Sequence, residues 1–273
     1  MNFEMAGKIS VIMGIYNCAH TLSEALDCII NQSYTNWELL MCDDGSVDDT
    51  VKVAETYVRK YPDKIILLKN RRNRGLNYTL NRCIKRANGN YIARMDGDDL
   101  CSLDRFEKEI KLLQRNPGIS IVSTAMEFFD QNGIWGRNYV KKKPEPIDFL
   151  KCTPFVHAAC MVKKEAYEAV SGYSVKDRFL RVEDYHLWIK MYEKGYRGMN
   201  IQEPLYQMRN DQKAMQRRKF KYRINEAYVK AYAVNHLKLP VYGYLYCLKP
   251  ILAGIIPSGV YRAQYRDKHR GEK

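Results

Sequence analysis

Acidic residues at the ends of two predicted strands carry the chemistry that this sequence offers. Asp96, Asp98 and Asp99 follow the apolar run 91–95, and residues 43–46 (Asp-Asp-Gly-Ser) close an earlier strand in the same way. Three acids within four residues repel one another, and a divalent cation that takes oxygen ligands relieves the repulsion. Because the carboxyl ends of parallel strands meet at one edge of a sheet, both groups predict one site for a metal and a phosphate-bearing ligand.

Hydrophobic periodicity gives the elements that position these acids. In residues 8–118 predicted strands alternate with predicted helices, which is typical of an α/β domain with a Rossmann-like, mostly parallel central sheet and helices on both faces. A helix that Ser46 or Asp48 caps is expected to end near Tyr61. The other predicted elements are strands at 8–16, 38–42, 65–68 and 91–95, and helices at 22–32, 76–87 and 104–116.

The second half has a mixed pattern. Residues 119–129 and 136–140 predict a hairpin, and residues 155–162 predict another strand. Helical spacing follows at 164–170 and 183–194. We therefore expect one domain over residues 1–212, divided into halves 8–118 and 119–212, and a basic helical extension over residues 213–273.

Positive charge is concentrated near the carboxyl terminus. The formal net charge is +14 with a pI near 9.3, and residues 213–273 hold fourteen Lys and Arg against three acids. This excess indicates an anionic partner: a membrane surface, a pyrophosphate group or nucleic acid. No nucleic-acid-binding motif accompanies it, so we expect no nucleic acid partner. Residues 239–261 are apolar but broken by Lys249 and three prolines, which fits an interfacial segment or a helical pair that packs on the domain.

Composition indicates a folded, reduced protein. Hydrophobic residues make up 46% and charged residues 28% of the 273-residue chain, which is enough apolar surface for a packed core. None of the eight cysteines is spaced Cys-x-x-Cys, so the sequence predicts free thiols in a cytoplasmic protein rather than a zinc or redox site.

Four segments, taken in order, resemble the inverting family 2 glycosyltransferases. They are residues 9–17, 42–50 and 94–99 and the pair Glu183-Asp184, and the similarity covers roughly residues 8 to 210. The resemblance implies the GT-A fold, a nucleotide-sugar donor and a Mn²⁺ or Mg²⁺ ion. Relatives often carry a histidine after an arginine near the end of the domain, whereas here Asn210 follows Arg209. The resemblance therefore gives no third metal or pyrophosphate ligand in that region.

The resemblance implies that the residues at the strand ends bind the nucleotide-sugar donor. Tyr16 would flank the uracil or serve as a core aromatic, and Asp44 would accept a hydrogen bond from uracil N3–H or hold a turn. Arg74 would bind a phosphate group at a helix start or would be a solvated loop residue. Asp98 is the expected metal ligand, and Asp99 is expected to face the helix start at Asp104. The complete donor-site prediction is Ile15, Tyr16, Asp44, Arg74, Asp96 and Gly97, with Asp98 and Asp96 on the metal.

The acceptor side of the predicted site centres on Asp184. As the general base it would remove the proton of an attacking sugar hydroxyl, and its structural alternative is a helix cap. His157 would touch the acceptor or lie satisfied in the core. Tyr185 would pack in the core or line an acceptor groove.

These assignments predict a bacterial surface-polysaccharide enzyme. It would move a hexose from a UDP-sugar to a hydroxyl of an oligosaccharide on undecaprenyl pyrophosphate, forming a β-linkage in capsule, O-antigen or exopolysaccharide synthesis. Its basic extension would hold it at the inner face of the cytoplasmic membrane. The alternative is a metal-dependent nucleotidyltransferase or phosphohydrolase, which would need a second metal site or an activating lysine that the pattern does not show.

Overall fold

A computed structural model describes residues 7–209 and 219–255, together with Asp267 and His269. The strands are β1 (Ile9–Ile15), β2 (Trp37–Asp43), β3 (Ile65–Lys69), β4 (Tyr91–Arg94), β5 (Leu100–Cys101), β6 (Ile121–Asp130), β7 (Gly133–Asn138), β8 (Met161–Lys163) and β9 (Gly198–Arg209). The α-helices are α1 (Ala19–Ile30), α2 (Thr50–Lys60), α3 (Leu76–Arg86), α4 (Arg105–Arg115), α5 (Lys164–Ala169), α6 (Glu183–Glu193), α7 (Phe220–His236) and α8 (Leu248–Ile255).

All nine of these strands belong to one sheet, in the order β3-β2-β1-β4-β8-β6-β9-β5, with β7 paired to β6. Pairing is parallel from β3 through β4. Beyond β4 it is mixed, because β8 runs antiparallel to both β4 and β6 while β9 runs parallel to β6. The sequence prediction of an α/β fold with a parallel first half and a mixed second half is confirmed.

Helices cover both faces of the sheet, and β1 shows how the strands divide the core. Its residues Ile9, Val11 and Met13 pack with α1, α2 and α4, whereas Ile12 packs with α3, α5, α6 and α7 on the opposite face. Successive strand residues point to opposite faces, so a strand buried on both sides reads as a continuous apolar run. This burial explains why β1 was recognisable from sequence.

Two segments of the second half differ from the prediction. Residues 155–162 were expected to form a strand but contain a 3₁₀ turn (His157–Ala159) before the short β8. The backbone N–H of Val156 donates to Ser123 Oγ instead of to a neighbouring strand (3.0 Å). Strand β9 was not predicted at all. Its pairing with β6 shifts register twice between Thr124 and Met126, and these shifts interrupt the two-residue alternation that marks a strand.

The carboxyl-terminal helices pack on the second half of the domain. Lys230 of α7 is 1% exposed, and its Nζ donates to the carbonyl oxygens of Leu150 (2.8 Å) and Lys151 (3.1 Å). The predicted boundary between residues 212 and 213 lies outside the described residues. Within the described ranges, none of the helices combines the length and the apolar character needed to cross a bilayer.

Candidate active site

The carboxyl ends of β1, β2 and β4 meet at one edge of the sheet, as the sequence predicted. Ile15 pairs with Asp43 in the parallel register, and the Asp44 N–H donates to the Ile15 carbonyl (2.9 Å). On the other side of β1, a Cβ placed on Gly97 would lie 3.2 Å from Ile15 Cγ2 and 3.1 Å from Cys18 Sγ. Gly97 therefore lets the acidic segment after β4 approach the end of β1 closely.

Asp44 holds the start of α3. Its Oδ1 accepts hydrogen bonds from Asn70 Nδ2 (2.7 Å) and the Arg74 N–H (2.8 Å), and its Oδ2 accepts the Gly75 N–H (2.8 Å). Oδ2 thus keeps capacity for one further donor, as a uracil N3–H would be. The Arg74 side chain is exposed and stacks over the Tyr78 ring at 4.6 Å.

The segment after Asp44 braces the turn that follows β1. Gly45 has φ +80°, a conformation that favours glycine, and its N–H donates to the Asp43 carboxylate. Ser46 Oγ accepts the Asn17 N–H (3.0 Å), and Asp48 Oδ2 accepts the Ala19 N–H (3.2 Å). The expectation that Ser46 or Asp48 caps α2 is wrong, because Asp49 is the N-cap and makes no side-chain cap hydrogen bond. Asp48 instead braces the helix start by accepting the Thr50 N–H (3.0 Å).

Tyr16 leaves β1 at this edge. Its side chain is 49% exposed, while the adjacent Ile15 is buried. An aromatic ring that is half exposed and fixed by a rigid strand can stack on a base. The core alternative for Tyr16 is wrong, because the ring faces solvent at the edge.

The three acids after β4 form one compact cluster. One carboxylate oxygen each of Asp96, Asp98 and Asp99 lies within 4.8 Å of the others. Asp96 is paired internally: Arg94 Nη2 donates to both of its oxygens, at 2.6 and 2.9 Å. Protein groups therefore already neutralise part of this cluster.

Asp99 is also satisfied internally, by β9. It is buried and accepts hydrogen bonds from the Tyr206 hydroxyl (2.8 Å) and the Arg209 N–H (2.8 Å). The expectation that Asp99 faces the helix start at Asp104 is wrong, because the chain brings β9 alongside instead. Asp99 thus ties the acidic segment to the end of the domain.

Asp98 is the acid of the cluster that faces solvent. Its pKa is raised, first by desolvation and then by the like charge of Asp96. No ion pair to its carboxylate is formed within residues 7–209 and 219–255. Mn²⁺ and Mg²⁺ take oxygen ligands. An exposed carboxylate that is repelled by its neighbour and lies next to two further carboxylates can supply them. The residues of this cluster therefore fit such an ion.

Arg94 is a site residue that the sequence analysis missed. Its side chain is 5% exposed, and besides pairing with Asp96 its positive charge acts on both Asp184 and His157. The backbone joins the same regions: the Arg94 N–H donates to the Cys160 carbonyl (2.9 Å), just after the turn whose His157 ring lies 6.0 Å from the Trp188 ring of α6. In the sequence, the signal that could have revealed Arg94 is its charge, two residues before the strand-end acid Asp96.

Asp184 lies in the first turn of α6. The pKa of its carboxyl is raised to about 6, first by burial and then by the like charge of Glu183, against the opposing effects of the Tyr185 backbone and of Arg94. A carboxylate with this pKa is ionised at neutral pH yet binds a proton more readily than an ordinary aspartate. These are the properties of a general base.

His157 lies against α6, with its ring 6.0 Å from that of Trp188, which follows Asp184 by four residues. Its Nε2 is 2.7 Å from the Tyr173 hydroxyl, and desolvation together with the charge of Arg94 holds its pKa well below the usual range. The ring is half-buried, so it remains accessible from the cleft.

Tyr185 is a packing residue and not an acceptor contact. It is 4% exposed, its hydroxyl donates to the Phe149 carbonyl, and its ring packs against Phe149. The acceptor-groove assignment for Tyr185 is therefore wrong, because the residue after Asp184 on the helix points into the core.

The sequence matches a known family over most of this architecture. The model of Glycosyl transferase family 2 matches residues 10–171, which include β1, β2, β4 and the acids that follow them. The chain belongs to glycosyl transferase family 2. This membership makes it a glycosyltransferase, so the nucleotidyltransferase or phosphohydrolase alternative is not supported.

Curated members of the family are similar over long stretches of this glycosyltransferase. EpsE of Bacillus subtilis (strain 168), named as a glycosyltransferase, is 41% identical over 266 residues, which cover 97% of this chain and 96% of EpsE. WfgD of Escherichia coli is 32% identical over 185 residues, covering 67% of this chain and 69% of WfgD. WfgD is named as a UDP-Glc:α-D-GlcNAc-diphosphoundecaprenol β-1,3-glucosyltransferase.

Solved structures confirm the GT-A fold of this family 2 enzyme. The mannosyltransferase PcManGT from Pyrobaculum calidifontis, in complex with GDP-Man and Mn²⁺, gives a TM-score of 0.64 at 21% identity, covering 94% of this chain and 79% of that one. TarS 1-349 of S. aureus, in complex with UDP-GlcNAc, gives 0.66 at 14% identity, covering 91% and 71%. The implied fold is therefore correct.

Proposed function

We propose that this family 2 glycosyltransferase transfers a hexose from a UDP-sugar to a hydroxyl group of an oligosaccharide, with inversion and with Mn²⁺ or Mg²⁺ as cofactor. Direct displacement on an α-linked donor would give a β-linked product. The observation that carries the proposal is the cluster of Asp96, Asp98 and Asp99, which follows β4 at the sheet edge where β1 and β2 also end. The turn beside β4 contacts α6, the helix of Asp184, through the rings of His157 and Trp188 (6.0 Å).

The acidic cluster supports binding of the diphosphate through a cation. When bound, the ion would act as a Lewis acid and would neutralise charge on the departing UDP. Asp98 would hold the ion, because the other two acids have partners in the protein. Asp96, fixed by Arg94, would orient toward the ribose or support the ion. Arg209 reaches the same place, since its Nε donates to the Asp98 carbonyl (2.9 Å).

The edge beyond β1 and β2 supports recognition of the base. Tyr16 offers an exposed ring for stacking, and Asp44 Oδ2 keeps capacity to accept the uracil N3–H. Ile15 and Gly97 form the wall behind the nucleotide, where a larger residue at 97 would meet Ile15. Arg74 would contribute positive charge at the start of α3.

Asp184 would accept the proton of the attacking hydroxyl. Sugar hydroxyls are very weak acids, so the proton must leave as the new bond forms. The helix start and Arg94 both favour the ionised carboxylate, while burial keeps it basic. His157 would contact the acceptor beside the base as a neutral hydrogen-bonding group.

The rate should follow the ionisation of Asp184. Because the base works in its ionised form and its pKa is about 6, kcat/KM at saturating Mn²⁺ should fall about tenfold per pH unit below that value. Glu183→Gln removes the like charge that raises this pKa, so it should move the acid limb to lower pH. A wild-type profile that stays flat down to pH ~4, the ordinary range of an aspartate, would contradict the assignment.

The acceptor is proposed to be a sugar on a lipid pyrophosphate. WfgD and a second E. coli relative, 32% identical over 229 residues, are both named for diphosphoundecaprenol-linked acceptors. We therefore propose a role in bacterial surface-polysaccharide synthesis, such as capsule, O-antigen or exopolysaccharide. The enzyme would work at the inner face of the cytoplasmic membrane, with its basic carboxyl-terminal region toward the lipid.

A panel of nucleotide sugars tests the donor assignment. UDP-glucose, UDP-galactose, UDP-GlcNAc and GDP-mannose are each incubated with the protein, with Mn²⁺ or with a chelator, and nucleotide and phosphate release are followed. We expect slow UDP release from one UDP-sugar, and only with the metal. Preference for GDP-mannose would overturn the uracil assignment, and metal-independent turnover would overturn the role of the cluster. Release of inorganic phosphate would indicate a phosphohydrolase.

A further inference from the structure

The outer surface of the carboxyl-terminal helices is apolar and exposed. Leu245, Leu248, Leu252 and Ile255 recur at intervals of three and four residues, and they are 68%, 56%, 63% and 72% exposed. Side chains at this spacing share one face of a helix. Soluble proteins rarely leave a contiguous row of large aliphatic side chains in water, so this apolar stripe indicates a binding surface.

A second exposed row on α7 continues the stripe. Phe220, Ile224 and Tyr228 are spaced by four residues and are 49%, 52% and 39% exposed. The two rows meet where α8 crosses the start of α7, because a Cβ on Gly254 would lie 2.9 Å from the Phe220 ring. Together they form one apolar surface.

The inner sides of these helices are used for packing. Gly243 lies against Leu150 and Val234, with 2.9 Å between a Cβ placed on it and either side chain. Lys230 anchors α7 through two backbone carbonyls. The apolar surface therefore faces away from the domain on helices that the domain holds in place.

The apolar surface reaches the loop that leads to Asp184. Asn225 Nδ2 of α7 donates to the carbonyl oxygens of Asp177 (3.2 Å) and Leu180 (3.0 Å). Tyr228 stacks under the guanidinium of Arg178 in the same loop (5.0 Å). Asp184 follows this loop within four residues, so whatever covers the surface lies close to the acceptor side of the cleft.

The rim of this surface is cationic. Lys219, Lys221, Lys238 and Lys249 are exposed around the helices, and Lys176, Arg178 and Arg181 are exposed on the neighbouring loop. A second copy of the chain would bring these like charges face to face, whereas anionic headgroups would complement them. Exposed Tyr242 and Tyr244, just before the stripe, match the preference of tyrosine for the membrane interface.

We propose that this apolar surface, formed by the stripe and the α7 row, inserts into the headgroup region of an anionic bilayer. It would lie in the plane of one leaflet, with the lysines on the phosphates and the aliphatic side chains among the upper acyl groups. This inference deepens the proposed function and depends on it in one respect: the sugar of a lipid-linked acceptor would then reach Asp184 while its lipid stays in the bilayer.

Vesicle flotation tests the surface with the full-length protein. Vesicles of phosphatidylcholine with phosphatidylglycerol should carry the wild type upward, and pure phosphatidylcholine should carry it far less. The double variant Leu248→Glu, Leu252→Glu should bind the anionic vesicles at least about tenfold more weakly, because two exposed apolar contacts become charged. Leu103→Glu is the matched control, since Leu103 is 57% exposed just before α4, which packs on the opposite face of the sheet from α7. It should bind as the wild type does.

Two further readouts decide between the outcomes. Circular dichroism verifies that the variants fold, and metal-dependent UDP release from the soluble donor should be unchanged in all of them. If the wild-type protein releases UDP but does not bind anionic vesicles, the proposed insertion of the apolar surface into a bilayer is wrong and the proposed function is unaffected. A wild-type dimer that the double variant converts to monomer, without vesicle binding, would assign the surface to a second copy and overturn the proposal. Vesicle binding without turnover of any donor would support the surface and count against the proposed function.

Discussion

Asp184→Asn should lower kcat about 10³-fold while UDP binds in the presence of Mn²⁺ with nearly wild-type affinity. The substitution keeps the shape of the side chain but removes the only proton acceptor that we assign to the attacking hydroxyl, and general-base catalysis contributes about 10²- to 10⁴-fold. Asp184 lies on α6 and is not one of the acids after β4 that we propose for the diphosphate, so we expect ground-state nucleotide binding not to depend on it. Steady-state kinetics and calorimetric titration with UDP and Mn²⁺ measure the two quantities separately.

Asp177→Asn serves as the control for this experiment. Asp177 is an exposed acid in the loop that precedes α6, so its substitution changes the same local charge without touching the base. It should keep near wild-type kcat. If Asp184→Asn retained more than about a tenth of wild-type activity, Asp184 would be a helix-capping acid and the base would lie elsewhere.

Asp98→Asn should weaken Mn²⁺-dependent UDP binding by about 100-fold or more, because a neutral amide replaces the direct carboxylate ligand. The same variant should be at least as stable as the wild type without metal. In the wild type, the pKa of Asp98 is raised by desolvation and by the like charge of Asp96. The ionised carboxylate that prevails at neutral pH is therefore disfavoured in the folded state, and a neutral amide at this position removes the repulsion. Titration calorimetry and thermal unfolding with and without Mn²⁺ give both results.

The matched control for Asp98 is Asp63→Asn, an exposed acid in the turn before β3. It should leave both the affinity for UDP and the Mn²⁺-induced rise in Tm unchanged. An Asp98→Asn protein whose Tm still rises with Mn²⁺ and UDP as the wild type does would remove Asp98 from the metal site.

The donor edge was predictable because its signals are local. Strands β1, β2 and β4 are short apolar runs buried on both faces, and each ends at a residue that the sequence marks by a change to polar or acidic type. Parallel neighbours then bring Ile15, Asp44 and Asp96 to one edge without further information. The turn role of Ser46 likewise follows from residue type alone.

The contacts that complete the cleft join residues far apart in the chain. Asp99 bonds to Tyr206 and Arg209, 107 and 110 residues later, on a strand whose register shifts erase its alternation. Arg94 on β4 lowers the pKa of Asp184 on α6, 90 residues later in the chain. No local pattern encodes such pairs, because they arise only when the second half folds against the first. Tyr185 was misjudged for a related reason: α6 is buried on nearly every side, so neighbours of Asp184 face the core.

The account depends most on the cation that Asp98 is proposed to hold between this chain and a nucleoside diphosphate. Crystals grown with UDP and Mn²⁺, and measured for anomalous scattering at the manganese edge, test it directly. The account predicts one peak within coordination distance of an Asp98 carboxylate oxygen and of both UDP phosphates, with Asp184 facing the open side of the β-phosphate. UDP bound without such a peak, or a peak on a surface remote from Asp98, would contradict it.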